Sequence, residues 1–359
     1  MSRTRSIFAG VGSYIPPRRV GAGEFLDRQF YLDYRDAVDA AETPSIVRKF
    51  EEITGIRERR WVDDDLVTSD LALFSAREAL ASSDVDPETL DYLIVAHNFG
   101  DVKSDNPRSD LVPTLAARVK QRLAIRNPRC VAYDLPFGCA GWLQAVIQAD
   151  YFLKSGDARR ALVIGAETLS RVSDPHDRDS MLYSDGAGAV ILEAREQNGS
   201  AGILAHCTRC DTLEHASLMW MGPSFNGSGN GGLFLKMHGR KLYEYAVTVV
   251  PELVLESLDR AGVPLGEVKR VLVHQANGKM NQSILRRLLK LGGVDEAHEE
   301  LMPMTVSLLG NSSVATLPTL LDLVVRGRVE GEGLASGDVL VLVSVGAGMN
   351  VCSVVYRWP

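Results

Sequence analysis

The chain has 359 residues, of which 45% are hydrophobic and 24% are charged, the composition of an ordinary folded protein and not of a disordered or fibrous one. Its 39 basic and 46 acidic side chains give a net charge of −7, which argues against a general nucleic-acid-binding protein. The five cysteines are scattered and odd in number, so they predict no disulfide framework and favour a reducing, cytoplasmic location.

The first apolar run indicates a strand and not a targeting segment. Arg3 and Arg5 precede it, as in a signal peptide, but it runs directly into Pro16 and Pro17 without a cleavage pattern of small residues. The longest uncharged run, residues 339–356, contains glycine, serine and asparagine and alternates like strand and turn. It therefore predicts no membrane span.

Short apolar runs alternate with helix-like stretches along the chain, which predicts an α/β fold. Helices are expected at residues 68–82, 141–155, 243–261 and 314–326. Runs typical of strands buried on both faces occupy residues 93–96, 161–164, 189–192, 271–273 and 339–343. Residues 195–235 are rich in glycine, serine and asparagine and predict a strand followed by a long irregular loop.

Two parts of the chain repeat one plan of elements. A helix end, a polar turn and a strand lead to Ala96, and the same order leads to His274. Cys139 and Asn311 each follow a glycine at a helix start. Nearly half the chain length separates Ala96 from His274, and likewise Cys139 from Asn311. The spacing favours two duplicated halves, residues 1–195 and 196–359, whose element ends meet at a shared axis. The alternative is that any two helix–strand pairs look alike.

Cys139 stands where an apolar run and a turn give way to a helix. Trp142, Val146, Ala149 and Leu153 follow it at the spacing of one helical face. The unpaired N–H groups and the dipole of a helix N-terminus favour a thiolate, so we expect a lowered pKa and a nucleophile. The alternative is that Cys139 is a small buried hydrophobic residue.

Polar side chains at other element ends complete this candidate site. His274 and Asn277 follow the strand predicted at 271–273, where α/β sheets place ligands, and Asn311 adds an amide at a helix start. A cysteine, a histidine and an asparagine at matching element ends suit thiol-based acyl transfer. A lone histidine is more often structural, so the hypothesis depends on the three residues together. His97 directly follows Ala96, the position that corresponds to His274 in the repeated plan. For His97 we favour a supporting role as a hydrogen-bonded residue.

With these motifs the chain resembles the ketoacyl synthase III branch of the thiolase superfamily. The resemblance spans nearly the whole chain. Its motifs, in chain order, are Tyr14-Ile-Pro, Thr54-Gly-Ile-Arg-Glu-Arg59, Gly138-Cys-Ala-Gly141, Lys154-Ser-Gly156, Asp174-Pro-His-Asp-Arg178, Asp185-Gly-Ala-Gly-Ala189, His274-Gln-Ala-Asn277, Gly310-Asn-Ser-Ser313 and Gly346-Ala-Gly348. It implies a five-layered αβαβα thiolase-like fold, made of two duplicated halves, and a homodimer.

The resemblance also implies roles for individual residues. Cys139 would accept the acyl group, while His274 and Asn311 would hydrogen-bond the carbonyl of a second thioester as a carbanion forms beside it. The backbone N–H groups of Cys139 and Ala347 would form the oxyanion hole over the acyl-enzyme, with the glycines on either side of Ala347 allowing close approach. Substrate contacts are implied at Arg178, Gly239 and Asn277. An acidic carrier protein is expected to dock on a basic helix face at Lys279, Arg286 and Arg287, although the spacing alone is also that of a solvated face.

Departures from the family pattern bear on the substrate. The tryptophan and arginine that clamp coenzyme A in primary-metabolism members are replaced by Lys49 and Ile53, which favours delivery on carrier protein or a different acyl-CoA pose. The segments 97–101 and 134–139 are closer to secondary-metabolite members, including those that form dialkylcyclohexanediones, the precursors of dialkylresorcinols. We therefore expect Claisen-type condensation of an acyl group on Cys139 with a β-ketoacyl thioester, followed by ring closure.

Three other functions stay open. The chain could be a fatty-acid-initiating synthase that decarboxylates a malonyl thioester, or an acyltransferase that forms esters or amides. It could also be a non-catalytic partner subunit, but such subunits usually lose the nucleophile, and Cys139 is present.

Metals and cofactors are not expected. Cys207 and Cys210 with His206 resemble half of a zinc site, but no second cysteine pair completes it. The run 227–232 fits G-x-G-x-x-G as letters but lacks the flanking strand and helix of a dinucleotide site, so it predicts a loop. The expected partners are acyl and β-ketoacyl thioesters of acyl carrier protein or coenzyme A, without nucleic acid.

Overall fold

A computed structural model describes residues 3–34, 36–197, 201–227, 232–294, 299–331 and 333–359. The α-helices are α1 (Thr43–Thr54), α2 (Thr68–Ala81), α3 (Leu115–Arg122), α4 (Gly141–Ser155), α5 (Thr212–His215), α6 (Gly239–Ala261), α7 (Gly278–Gly292), α8 (Val306–Leu309) and α9 (Thr316–Val325). The strands are β1 (Arg3–Tyr14), β2 (Arg18–Gly21), β3 (Tyr31–Asp33), β4 (Asp36–Ala37), β5 (Glu58–Trp61), β6 (Tyr92–Ala96), β7 (Val131–Leu135), β8 (Arg160–Thr168), β9 (Asp185–Gln197), β10 (Gly202–Cys210), β11 (Met219–Gly222), β12 (Phe234–Met237), β13 (Val268–Val273), β14 (Val339–Gly346) and β15 (Asn350–Arg357).

The two main sheets repeat one strand order. The first runs β1-β9-β8-β6-β7, and the second runs β10-β15-β14-β13. In each sheet the first two pairings are antiparallel and the third is parallel. Strand β13, which leads to His274, therefore corresponds to β6, which ends at Ala96. The division of the chain at residue 195 stays a prediction, because β9 continues to Gln197.

Side chains alternate across each sheet and build separate cores on its two faces. Leu93 and Val95 of β6 pack with α2 and α3, whereas Ile94 between them faces α4 and α9. Helices α4 and α9 lie between the sheets, since their apolar residues share a cluster with Leu342 of β14. On the far face of the second sheet, Val343 packs with α6 and α7. This order of helix and sheet layers confirms the predicted five-layered α/β fold.

Most predicted helices and strands are confirmed, and the corrections are local. Helix α6 begins at Gly239 and not at residue 243, and α9 begins at Thr316 after a 3-10 turn, Ser313–Ala315. The loop predicted after β10 contains a two-stranded hairpin of β11 and β12, whose four-residue strands are too short to give a clear alternating pattern. Residues 228–231 of the glycine-rich run lie outside the described residues.

The described ranges contain no helix with the length and apolarity needed to cross a membrane. All five cysteines are free thiols, and within β10 Cys207 is buried while Cys210 is exposed. In the same ranges, no cluster of three or more histidine, cysteine or carboxylate side chains could hold a metal ion.

Candidate active site

Cys139 lies in a 3-10 turn, Gly138–Ala140, between β7 and α4. Gly138 has φ +64°, and a Cβ there would stand 2.6 Å from the backbone nitrogen of Ala347. A Cβ on Gly346 would collide with the backbone nitrogen of Cys139. Because glycine at both positions permits this approach, the turn that carries Ala347 packs directly against the turn that carries Cys139.

The thiol of Cys139 is held in its protonated form. Burial raises the pKa of Cys139 to about 11 and outweighs the hydrogen bond from Ser313, whose Oγ lies 3.2 Å from Sγ. The pKa lowering that the sequence predicted from the helix N-terminus is therefore wrong. A base has to take the proton as the sulfur attacks.

His274 follows β13 and is a neutral imidazole at pH 7. Its exposed fraction is only 3%, and burial lowers its pKa to about 4. Nδ1 lies 2.6 Å from Oγ1 of Thr316, at the start of α9. No described residue hydrogen-bonds Nε2, which is the ring nitrogen left for the cavity that His274 lines.

The hydroxyl of Thr316 determines what Nε2 of His274 can do. That hydroxyl can donate to the carbonyl oxygen of Ser313, 3.0 Å away, and then accepts a hydrogen bond from Nδ1–H. In this arrangement Nε2 has a free lone pair and can accept a proton. When Thr316 donates to Nδ1 instead, Nε2 carries the hydrogen and can donate it to a carbonyl. One hydroxyl thus allows the neutral ring to act as a base or as a donor.

The backbone orients the side chain of Asn311. Its Oδ1 accepts a hydrogen bond of 2.9 Å from the N–H of Ser313, and its own N–H donates to the carbonyl oxygen of Leu182 at 3.0 Å. Since Oδ1 is held by a donor, Nδ2 is fixed as the atom that can donate into the cavity.

Cys139, His274 and Asn311 line one cavity of about 80 Å³, which we call the reaction cavity. Much of its wall is methionine, contributed by Met219, Met237, Met280 and Met349. Cys139 and Asn311 also line an inner cavity of about 190 Å³. The apolar wall of this inner cavity includes Phe99, Leu169, Trp220 and Leu235.

An outer cavity of about 810 Å³ connects this site to the surface. Its lining includes every predicted substrate contact, both altered clamp positions and one predicted docking residue: Arg178, Gly239, Asn277, Lys49, Ile53 and Lys279. Gly239 and Asn277 line both the outer and the reaction cavities, so the two are continuous at these residues. Oδ1 of Asn277 accepts a hydrogen bond of 2.7 Å from the N–H of Met280 and thereby caps α7.

Comparison with known proteins places the chain in a family. The model of 3-oxoacyl-[acyl-carrier-protein (ACP)] synthase III matches residues 133–212, and the model of the C-terminal part of this synthase matches residues 258–358. The chain is 33% identical to a beta-ketoacyl-[acyl-carrier-protein] synthase III from Bradyrhizobium sp. (strain BTAi1), over 99% of both chains. The chain belongs to the 3-oxoacyl-[acyl-carrier-protein] synthase III family. It is therefore a condensing acyltransferase.

Solved structures agree with this assignment of the synthase. The 3-oxoacyl-(acyl carrier protein) synthase III from Pseudomonas aeruginosa PAO1 has a TM-score of 0.78 and 27% identity, covering 99% of this chain and 98% of the other. The priming β-ketosynthase from the R1128 polyketide biosynthetic pathway has a TM-score of 0.78 and 26% identity, covering 100% and 98%. These similarities confirm the thiolase-like fold.

The basic helix of the synthase is α7. Lys279 and Arg286 are exposed, and Lys279 also lines the outer cavity. Arg287 instead turns toward α6, where its guanidinium lies 3.6 Å from Glu252. Lys279 and Arg286 therefore present a shared basic face, and Arg287 contributes less to it than predicted.

His97 of the synthase lies outside the three cavities just described. Its Nε2 is 2.9 Å from Oδ2 of Asp134, and its Nδ1 accepts a hydrogen bond from the N–H of Gly100. Asp134 also accepts hydrogen bonds from the first N–H groups of α3. These contacts are those of the supporting residue that the sequence favoured.

Sequence reasoning missed two polar residues and one wall of the site in this synthase. Ser313 ends the motif that was noticed for its asparagine alone, and Thr316 lies three residues beyond it. Their contacts with Cys139 and His274 depend on how α9 approaches β13, which no local pattern encodes. The hairpin that supplies Met219, Trp220 and Met237 was read as loop.

Proposed function

We propose that this synthase forms a carbon–carbon bond between an acyl group carried on Cys139 and a β-ketoacyl thioester. The observation that carries the proposal is that two cavities with largely apolar walls meet at Cys139. The inner cavity takes the alkyl chain of the acyl group. The reaction cavity, with its adaptable methionine wall, takes the acceptor.

In the loading step, Sγ of Cys139 attacks the carbonyl of the acyl thioester. Nε2 of His274 accepts the thiol proton, and the N–H groups of Cys139 and Ala347 bind the oxyanion. The carbon–sulfur bond to the carrier breaks, and the departing thiolate takes the proton from His274. The step leaves an acyl-Cys139 thioester, a free carrier thiol and a neutral imidazole.

In the condensation step, Nε2 of His274 takes a proton from C2 of the β-ketoacyl thioester. The enolate oxygen then accepts hydrogen bonds from Nε2–H and from Nδ2–H of Asn311. C2 attacks the acyl carbonyl, the bond to Sγ breaks, and the Cys139 thiolate recovers the proton. The product is a 2-acyl-3-oxoacyl thioester with one new carbon–carbon bond, and Cys139 and His274 return to their neutral forms.

Carrier protein is the proposed source of both thioesters. Lys279 and Arg286 give α7 a basic face beside the outer cavity, which suits an acidic partner whose thioester arm enters past Asn277. The replaced clamp positions, Lys49 and Ile53, support this choice over coenzyme A.

Strand β7 lies at the edge of its sheet, with no described strand paired to its outer side and with Val131 exposed, and this edge supports the proposed homodimer. The five free thiols support the proposed cytoplasmic location.

Malonyl thioester is the second candidate acceptor. The described residues that line the reaction cavity carry no charged side chain. Such a lining destabilises a carboxylate and so favours loss of CO₂ from a malonyl group. Membership of the 3-oxoacyl-[acyl-carrier-protein] synthase III family supports the same alternative.

Product identification tests the proposal. The octanoyl-loaded synthase is offered β-ketooctanoyl or malonyl thioester, and the product mass and the released CO₂ are measured. We expect a new carbon–carbon bond with the β-ketoacyl acceptor and no CO₂. Turnover with malonyl thioester alone would establish the initiating function, and an ester or amide product would refute both.

Paired variants test which cavity holds which chain. Trp220 lines the inner cavity only, and Met280 lines the reaction cavity only. We expect Trp220→Ala to lengthen the acyl donor that is accepted, and Met280→Ala to change only the preference for the acceptor. An exchange of these effects would reverse the assignment of the chains.

A further inference from the structure

A buried carboxylate near Cys139 has no role in the steps above. Glu167, on β8, is fully buried, and burial raises its pKa to about 7. Its Oε2 accepts hydrogen bonds from the backbone N–H of Asn98 at 3.1 Å and from Nδ2 of Asn98 at 2.7 Å. Within the described part of the chain, Oε1 has no hydrogen-bond partner and no lysine or arginine forms an ion pair with the carboxylate. Among the described residues, only Asn98 hydrogen-bonds this buried carboxylate, which is costly and calls for a reason.

The hydrogen bonds lead in one direction from Glu167 to the sulfur. Nδ2 of Asn98 also lies 3.2 Å from Oγ of Ser313, and an amide nitrogen can only donate. Ser313 therefore accepts from Asn98, and its single hydrogen is free to be donated to Sγ of Cys139, 3.2 Å away. The carboxylate thus fixes the amide, the amide fixes the hydroxyl, and the hydroxyl points at the thiol.

The backbone of Ser313 is held for the same purpose. Its φ of +52° is unusual for a residue other than glycine, and its N–H donates to Oδ1 of Asn311. In this conformation Ser313 contacts Asn311 through its backbone and Cys139 through its side chain. The strained position connects the two parts of the site.

We propose that Glu167 is a positioning residue that, through Asn98, holds the Ser313 hydroxyl as a hydrogen-bond donor to Cys139. A donor at Sγ stabilises the thiolate that forms when Cys139 attacks and again when it leaves after condensation. The inference rests on the proposed role of Cys139 as nucleophile. It adds a set of residues that controls how readily the sulfur ionises.

The negative charge of Glu167 also has a direct electrostatic effect on the Cys139 thiol, opposite in sign to the effect of the aligned hydroxyl. A negative carboxylate near Cys139 raises the pKa of the thiol. Removal of the charge alone would therefore make the thiol more reactive, whereas loss of the aligned donor would make it less reactive. The sign of the change distinguishes positioning from simple repulsion.

The test is the rate of Cys139 alkylation by iodoacetamide as a function of pH, followed by peptide-resolved mass spectrometry. Ser313→Ala removes the donor, and we expect alkylation at pH 8 to be about tenfold slower, because a hydrogen bond to a charged group is worth about one pKa unit or more. Glu167→Leu removes the acceptor that holds Asn98 and should also slow it, by shifting the pH profile upward without lowering its plateau. In the Ser313→Ala background, Glu167→Leu should produce no slowing, because only repulsion remains to be removed.

Two controls keep the result interpretable. Cys210 is exposed on β10 and should be alkylated at the same rate in every variant, whereas buried Cys130 becomes reactive only if the chain unfolds. Asn98→Ala removes the amide between Glu167 and Ser313 while Glu167 stays in place. It should slow alkylation in the chain that keeps Ser313 and not in the Ser313→Ala background. Asn98→Ala carries the test if Glu167→Leu unfolds.

Faster alkylation in Glu167→Leu would overturn the inference. So would slowing by Glu167→Leu or Asn98→Ala that is equal with and without the Ser313 hydroxyl. Alkylation reads the thiol without any acyl transfer. A protein that alkylates as expected but forms no acyl-Cys139 would refute the proposed function and leave this inference standing.

Discussion

Thr316→Val tests whether one hydroxyl controls His274, the proposed base. Valine keeps the branched shape of the buried side chain but removes Oγ1, which lies 2.6 Å from Nδ1 of His274. Nδ1 is then buried without a partner, which costs about 1–3 kcal/mol. If the cost falls on the transition states, both half-reactions slow by about 10- to 100-fold, at about 1.4 kcal/mol per factor of ten. Substrate KM should change little, because Thr316 lines none of the three cavities.

Rapid-quench mass spectrometry separates the two half-reactions. It measures the rate of acyl-Cys139 formation, and then its discharge by the acceptor thioester. Nitrogen-15 NMR of His274 should report a mixture of Nδ1–H and Nε2–H tautomers in the wild type and a different ratio in Thr316→Val. Thr316→Ser restores the hydroxyl and should recover most of the rate.

Thr319→Val is the matched control for this prediction. Thr319 is buried one turn further along α9, and its hydroxyl donates to the carbonyl oxygen of Ala187 at 3.4 Å. We expect it to leave both half-reactions unchanged. Equal losses in the two variants, or wild-type rates in Thr316→Val, would refute the role assigned to Thr316.

Three further predictions concern the pH dependence of stability, the close packing of the Ala347 turn against the Cys139 turn, and the docking of carrier protein. Burial lowers the pKa of His274 to about 4, below its unfolded value near 6.5. The contribution of His274 to the free energy of unfolding is therefore complete above pH 6.5 and falls by about 3 kcal/mol as the pH drops toward 4. In His274→Asn, the urea midpoint should change less with pH in that window. Gly346→Ala should abolish acyl loading because its Cβ displaces the Cys139 backbone, whereas Gly266→Ala, where a Cβ meets no atom within 4 Å, should load normally. Charge reversal at Lys279 and Arg286 should lower the rate at least tenfold with carrier-protein thioesters and leave the rate with small thioesters unaffected. Charge reversal at exposed Arg77 on α2 should change neither rate. Equal losses with small thioesters would contradict docking on α7.

The sequence was sufficient for the α/β class of the fold because each buried strand carries its pattern locally, whereas the five layers were implied by the family resemblance. The run 92–96 is apolar on both faces, and the structure uses Ile94 for one core and its neighbours for another. The residue types at element ends were equally readable, since Cys139 and Asn311 each follow a glycine at a helix start and His274 directly follows a buried strand.

The parts that the sequence did not predict depend on contacts between distant segments. Ser313 lies 174 positions from Cys139 along the chain, and Thr316 lies 42 from His274, so neither hydrogen bond has a local signature. The raised pKa of Cys139 has the same origin. A helix end is visible in sequence, but the extent to which distant segments bury the thiol is not.

The acyl-enzyme is the most direct test of the central claim. The synthase is incubated with an acyl thioester, and the Cys139 peptide is examined for the added acyl mass before and after a β-ketoacyl thioester is supplied. We predict an adduct on Cys139 that the acceptor discharges into a product with a new carbon–carbon bond, and a folded Cys139→Ala variant that carries no adduct. A covalent acyl adduct that persists in Cys139→Ala would contradict the account.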